Sequence, residues 1–148
     1  MSTLADPATR SLILGRIQRL TPDARRKWGE MTAHQMVCHL TDSYRMSAGK
    51  RTPSPVDNFF TRTVMRFVAL HTPMRWPPGI KTVPEADQGK NGTKPVGWVQ
   101  DHAELVRMVE TFEPIAGHPH PIFGPLTVEE WSVWGFRHAD HHLRQFSA

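Results

Sequence analysis

The chain has 148 residues, 39% hydrophobic and 22% charged, with a net charge of +4, nine histidines, five tryptophans and one cysteine. That length suits one domain, residues 1–148, with a real core, and the lone cysteine excludes an intrachain disulfide and fits a cytoplasmic protein. No apolar run approaches the ~18 residues that span a bilayer, and scattered basic residues make no nucleic-acid stripe, so neither membrane nor nucleic acid is an expected partner.

In chain order, MSTLADPATRSLIL lacks the basic start and apolar stretch of a signal peptide. A first helix is expected from about Ala8 to Leu20, after Pro7. TPDARRKW, with Thr21 as a cap and Pro22 behind it, reads as a short turn. Thr32 opens a capping box with Gln35, and its helix should reach about Ala48, where Gly49 stops it. A third helix is expected over about Val56 to Leu70, with Arg62 and Arg66 on its polar side. A fourth, about Trp98 to Phe112, ends before Pro114. Thr127 opens a second capping box with Glu130, and the last helix should run to about Phe146. Residues 71–97, rich in proline and glycine, form a loop long enough to be a lid or an oligomer arm, which leaves a homodimer open. EPIAGHPHPIFGPL leads into the last helix. The pattern is all-α: a four-helix bundle with an additional helix and a long crossover loop.

FRHADHHLRQF, near the C-terminus, concentrates histidines. At about 100° per residue, His138 and His142 fall inside the apolar arc set by Trp131, Gly135, Ala139, Leu143 and Phe146, about 40° apart. His141 falls at the edge of that arc, near water. On the helix after Thr32, His39 lies at the margin of the inner arc of Met36, Val37, Leu40 and Tyr44, while His34 lies outside with Thr41 and Arg45. His39 is ~10 Å from the start of its helix, and His138 and His142 are ~6–12 Å from the end of theirs. If the two helices are antiparallel, the three imidazoles share one level.

An isolated i,i+4 histidine pair is weak evidence for a metal, and a third inward histidine at the same depth strengthens it. Three neutral ligands leave a tetrahedral zinc one open position, and nickel, iron and manganese also suit imidazole. Cys38 reads as incidental, His118 and His120 as shaping the helix entry at the far end from the site, and Trp131 and Trp134 as core. His71 and His102 have no evident partner. There is no HExxH motif, phosphate loop or serine nucleophile elbow.

WGEMTAHQMVCHLTDS, HPIFGPLTVEEW and RHADHHLRQF, the last with His138, His142 and Gln145 in H-x-x-x-H-x-x-Q spacing, resemble the DinB-like (DinB/YfiT) superfamily of metalloenzymes, in one of its uncharacterised branches. The resemblance covers about residues 8–48 and 98–147. It implies an up-down-down-up bundle and a divalent metal held by one histidine of the second bundle helix and two of the last, here His39, His138 and His142. It also implies thiol-dependent transfer or isomerisation among its known chemistries.

The expected protein is a divalent-metal-dependent enzyme, zinc first, acting on a small-molecule substrate with a low-molecular-weight thiol. Gln145 and Asp42, each within one helical turn of a ligand, are expected partners of the ligands. Arg45 and Arg137 are weak candidates for an anionic substrate, and loop 71–97 is a candidate cover. The alternative is a non-catalytic metal-binding or stress-response module.

Overall fold

The computed structural model describes residues 1–148. It is mostly helical. α1 spans Pro7–Gln18, capped by the Asp6 carboxylate, which accepts from the Thr9 amide, with Pro7 in the first turn. α2 spans Ala33–Ser47 and starts with both halves of the Thr32–Gln35 capping box. It ends at Gly49, whose φ of +67° is a left-handed stop that L side chains resist. α4 spans Trp98–Glu110, and α5 spans Val128–Gln145 behind the Thr127–Glu130 capping box.

The third helix differs from its expected course. It opens later, at Phe59, and passes through a π-helical turn over Thr61–Met65 into α3, Arg66–His71. The reason is local. Asn58 and Thr61 exchange side chain-to-amide hydrogen bonds that cap the chain there, and the amide of Val56 is already committed to the carbonyl of Pro121. The stretch before α5 also carries structure that periodicity did not reveal. Pro119–His120 (β1) pairs antiparallel with Gly124–Pro125 (β2), a tight hairpin with Gly124 at φ +70°.

Side-chain contacts fix the helix directions. Tyr44 in α2 donates to the carbonyl of Gly135 at 2.9 Å, and Lys27, before α2, bonds the carbonyl of Gln145, so α2 and α5 are antiparallel. His34 meets Asp101 and Tyr44 meets Phe112, so α2 and α4 are parallel. Arg10 reaches the carbonyl of Glu110 and His102 that of Ile17, so α1 opposes α4. Arg16 pairs with Asp140 at 2.7 Å while Leu4 bonds Ser132, so α1 runs with α5. One apolar cluster joins Ile13 and Ile17, Met36 and Leu40, Leu70, Leu105 and Val109, and Trp131 and Leu143. Trp131 and Trp134 cross edge-to-face at 5.1 Å inside it.

α2 has no solvent face of the kind its sequence suggests. Cys38 and Thr41 are buried as well as Leu40 and Tyr44. α4 covers one flank, and residues 83–93 cover the flank that carries His39, Asp42 and Met46. Polar residues survive there because each is satisfied: Thr41 and Ser43 donate to carbonyls one turn back, of Val37 and His39.

The α2–α5 lock is testable by a matched pair of substitutions. Tyr44→Phe removes a buried hydrogen bond and should lower unfolding free energy by about 1 kcal/mol. Gly15→Ala, at a site in α1 where an added Cβ would meet nothing nearer than 3.6 Å, should raise it by about 0.5–1 kcal/mol. Urea unfolding reads both. Equal stability of Tyr44→Phe and the parent would mean that the hydroxyl contact does not hold the helices.

Candidate metal centre

Because α2 and α5 are antiparallel, His39 lies level with the latter half of α5. There one helical turn of spacing aligns His138 with His142. The three imidazole rings sit 4.7 to 4.9 Å apart, centre to centre. One nitrogen from each falls within 4.8 Å of the other two, a group that can hold a metal ion. Nε2 of His39 and Nε2 of His138 are 3.0 Å apart. His39 and His142 are buried, and His138 borders a cavity.

The outer nitrogens decide which way the inner ones face. Nδ1 of His39 lies 2.9 Å from the carbonyl of Ala86, and Nδ1 of His142 lies 2.9 Å from Oε1 of Gln145. Carbonyl oxygens only accept, so both Nδ1 atoms carry the proton and both Nε2 atoms turn a lone pair inward. The Gln145 amide is itself oriented, because its NH₂ donates to the carbonyl of Trp28 at 2.8 Å. Gly29 is needed beside it: its φ is +75°, and a Cβ there would stand 2.7 Å from the Gln145 nitrogen. His138 has no partner at Nδ1.

Burial pushes the pKa of His39 down, and burial followed by repulsion from neighbouring imidazoles pushes those of His138 and His142 well down. All three are therefore neutral at pH 7, the state that ligates metals. Without a cation, one proton between His39 and His138 can relieve one of the facing pairs, and the His142 lone pair still has no donor. A divalent ion relieves all three. At ~2.0–2.1 Å to each nitrogen, tetrahedral zinc holds its ligands ~3.3 Å apart, close to the 3.0 Å between the His39 and His138 nitrogens. The donor set thus fits a metal.

Asp42 makes no hydrogen bond to the three histidines. It is fully buried and receives the amide and hydroxyl of Thr93, both at 2.7 Å, together with Arg51 at 2.5 Å, Arg45 at 3.3 Å and Gln88 at 3.3 Å. It pins the loop that brings the Ala86 carbonyl to His39. Arg45 is occupied by Asp42 and Glu104, and Arg137 by the carbonyls of Ala69, Thr72 and Met74.

A second group of His34, Cys38 and Asp101 also clusters. Its chemistry is different. Burial, followed by the negative charges of Asp101 and Asp42, drives the Cys38 thiol up to about 12, so it stays protonated. Asp101 is already engaged by the amides of Val96 and Gly97 and by His34 at 2.7 Å. This cluster fastens the start of α4 to α2. His71, for its part, approaches Glu130 at 3.3 Å, and His102 bonds the carbonyl of Ile17 at 2.7 Å.

A cavity of about 520 Å³ opens beside the triad, lined by α3 with its π turn, loop 71–97, the hairpin and α5. Two expectations change here. His141 is not free at the edge of the helix but half-buried between Trp28 and Trp76, because the loop carries Trp76 over it. His120 does not stand remote from the site: the hairpin folds back along α5, stacking His120 on Phe123 and setting it 5.2 Å from Trp134, whose ring is 4.7 Å from His138. Nδ1 of His120 accepts from the amides of Ile122 and Phe123, which fixes its proton on Nε2. Burial lowers its pKa to about 3, so the cavity wall holds a neutral imidazole in one tautomer. The prolines and Gly124 around it were the available signal for the tight turn. Nothing in the sequence marked the Ala86 carbonyl or Trp76.

The family model "Protein of unknown function (DUF1569)" matches residues 10–148. No curated protein and no solved structure matches the chain.

Elemental analysis should find about one divalent metal per chain, and alanine at His39, His138 or His142 should abolish most of it. Gln145→Ala should weaken binding roughly tenfold by freeing the His142 ring, whereas His141→Ala should leave it largely intact. Equal metal loss in His141→Ala and His142→Ala would contradict the assignment. A second expectation concerns pH in the metal-free protein. His120 binds no proton while folded until about pH 3, but does so near ~6.5 once unfolded, so stability falls as pH drops through that window. His120→Asn, which keeps an acceptor near Nδ1, should reduce the slope of unfolding free energy against pH by up to about one proton, or ~1.4 kcal/mol per pH unit. An unchanged slope at pH 4.5–6 would show that His120 is not buried neutral.

Proposed function

The chain belongs to the DUF1569 family, and within it we propose that this protein is a divalent-metal-dependent enzyme of the DinB-like type, a cytoplasmic transferase or isomerase that uses a small thiol. The single observation that carries the proposal is the convergence of three neutral imidazoles, two with their outer N–H groups tied, at the wall of an open cavity. The helix directions support the fold part of the reading: α1 and α5 run one way and α2 and α4 the other, as in an up-down-down-up four-helix bundle. Zinc is the first candidate, since three neutral nitrogen ligands with a position left open suit its catalytic sites. The chemistry a divalent ion supplies there is charge, which favours the deprotonated form of a thiol or water.

The residues of the chain would perform the rest. The Ala86 carbonyl and Gln145 hold His39 and His142 in the ligating tautomer and orientation. Trp76, Phe123 and Trp134 wall off the space where a small-molecule substrate would sit, excluding water from one side of the triad. His120 offers an N–H donor of fixed tautomer to that wall. The cavity favours catalysis over a purely structural metal site, because a closed four-ligand site needs no access.

The test supplies the metal-loaded protein with bacillithiol, mycothiol or glutathione and a panel of electrophiles such as aryl chlorides. In the expected reaction the thiol sulfur bonds to the ring carbon, the carbon–chlorine bond breaks with its electron pair leaving on chloride, and the thiol proton passes to water. Thiol consumption should exceed the uncatalysed rate and vanish in His138→Ala. No excess over background with any thiol, in protein shown to contain metal, would favour the non-catalytic module.

A further inference from the structure

The cavity beside the triad falls within the ~300–1,000 Å³ of small-molecule sites, and its lining has an uneven composition. The wall from the π turn to α5 is apolar, with Met65, Ala69, Val83, Phe123 and Trp134 among its parts. No aspartate or glutamate lines it. Its only full charges at neutral pH are Arg75 and Lys81, and both are exposed, so both stand at the mouth. Neither is ion-paired. The neighbouring cations of α3 and α5 are taken: Arg62 pairs with Asp57, Arg66 with Glu130, and Arg137 is held by backbone carbonyls. Loop 71–97 thus presents two unneutralised cations over an apolar pocket that has the triad at its base.

We propose that the pocket takes an amphipathic anion: an apolar chain or ring buried against the aromatic wall, its anionic group between Arg75 and Lys81, and its uncharged end at the histidines. A cationic head does not match, since no carboxylate lines the pocket, and a charge on the buried end would find no side-chain counter-charge there. The shared chemistry of the head is an anionic oxygen group, a carboxylate or a phosphate ester. The reactive role of the inner end rests on the metal-site reading above, whereas binding of the apolar body and the head does not.

Trp76, Trp131 and Trp134 line the cavity, so tryptophan fluorescence reports its occupancy. The titration uses octanoate, octyl phosphate, octanol and acetate, with metal-loaded and chelator-stripped protein side by side. Octanoate should bind both forms within about twofold, octanol about fivefold more weakly, and acetate not detectably. Arg75→Gln with Lys81→Gln, two exposed changes that spare the core, should bring octanoate down to the octanol level and leave octanol unchanged. Ala69→Trp, which fills the pocket, should abolish both. A preference for octyl phosphate over octanoate would assign the head to a phosphate ester, and the reverse to a carboxylate. Equal binding of octanoate and octanol to the parent, or octanoate binding that disappears with the metal and ignores the double substitution, would overturn the proposal. So would the absence of any fluorescence response to the octyl compounds. Metal content measured on the same samples reports separately whether the metal reading has failed.

Discussion

Two imidazole lone pairs are turned inward, beside a third ring, at the wall of a largely apolar cavity. That constraint organises much of the structure around it. An imidazole presents its Nε2 lone pair only while its other nitrogen keeps the proton, so something must accept that proton from outside. For His142 the acceptor is Gln145, which is held by the Trp28 carbonyl and accommodated by the bare Cα of Gly29. For His39 it is the carbonyl of Ala86, and Ala86 is there because the buried Asp42 gathers Thr93, Gln88 and Arg51 into one fixed loop. Asp42 therefore bears on the centre at one remove, through backbone.

The same loop changes the character of α2. A helix with a polar flank becomes one buried nearly all round, and its cost in buried polar groups is met by short hydrogen bonds to the helix's own carbonyls. Loop 71–97 also supplies Trp76 and the two rim cations, so one irregular segment closes the base of the site and forms its mouth. The hairpin completes the wall from the other side. Neither segment has the periodicity of a helix, and each owes its position to particular residues: Asp42 with Thr93 for the loop, and Gly124 and the Val56–Pro121 bond for the hairpin.

This division explains what could be read in the sequence. The starts of α2 and α5 were legible because a capping box is a contact between residues three apart, which needs no knowledge of the fold. The inward face of α5 was legible because a 3.6-residue period places His138 and His142 beside Ala139 and Leu143 whatever packs there. The alignment of His39 with them needed one further fact, the antiparallel course of α2 and α5. His120, Trp76 and Ala86 were not legible. They reach the site through loops whose path depends on contacts 47 to 65 residues away in the chain, such as Val56 with Pro121 and Asp42 with Thr93. The burial of Cys38 and Thr41 escaped for a related reason, since a helix pattern shows which side is apolar but not whether a second layer covers the other.

The central claim is that His39, His138 and His142 present their nitrogens to one ion. X-ray absorption spectroscopy at the metal edge of the zinc-loaded protein tests it most directly. The account predicts three imidazole nitrogens at ~2.0–2.1 Å with the outer-shell scattering that imidazole rings give, and one light-atom ligand besides. A sulfur scatterer at ~2.3 Å, which only Cys38 or a methionine could supply within the protein, or a shell with fewer than three imidazoles, would contradict it.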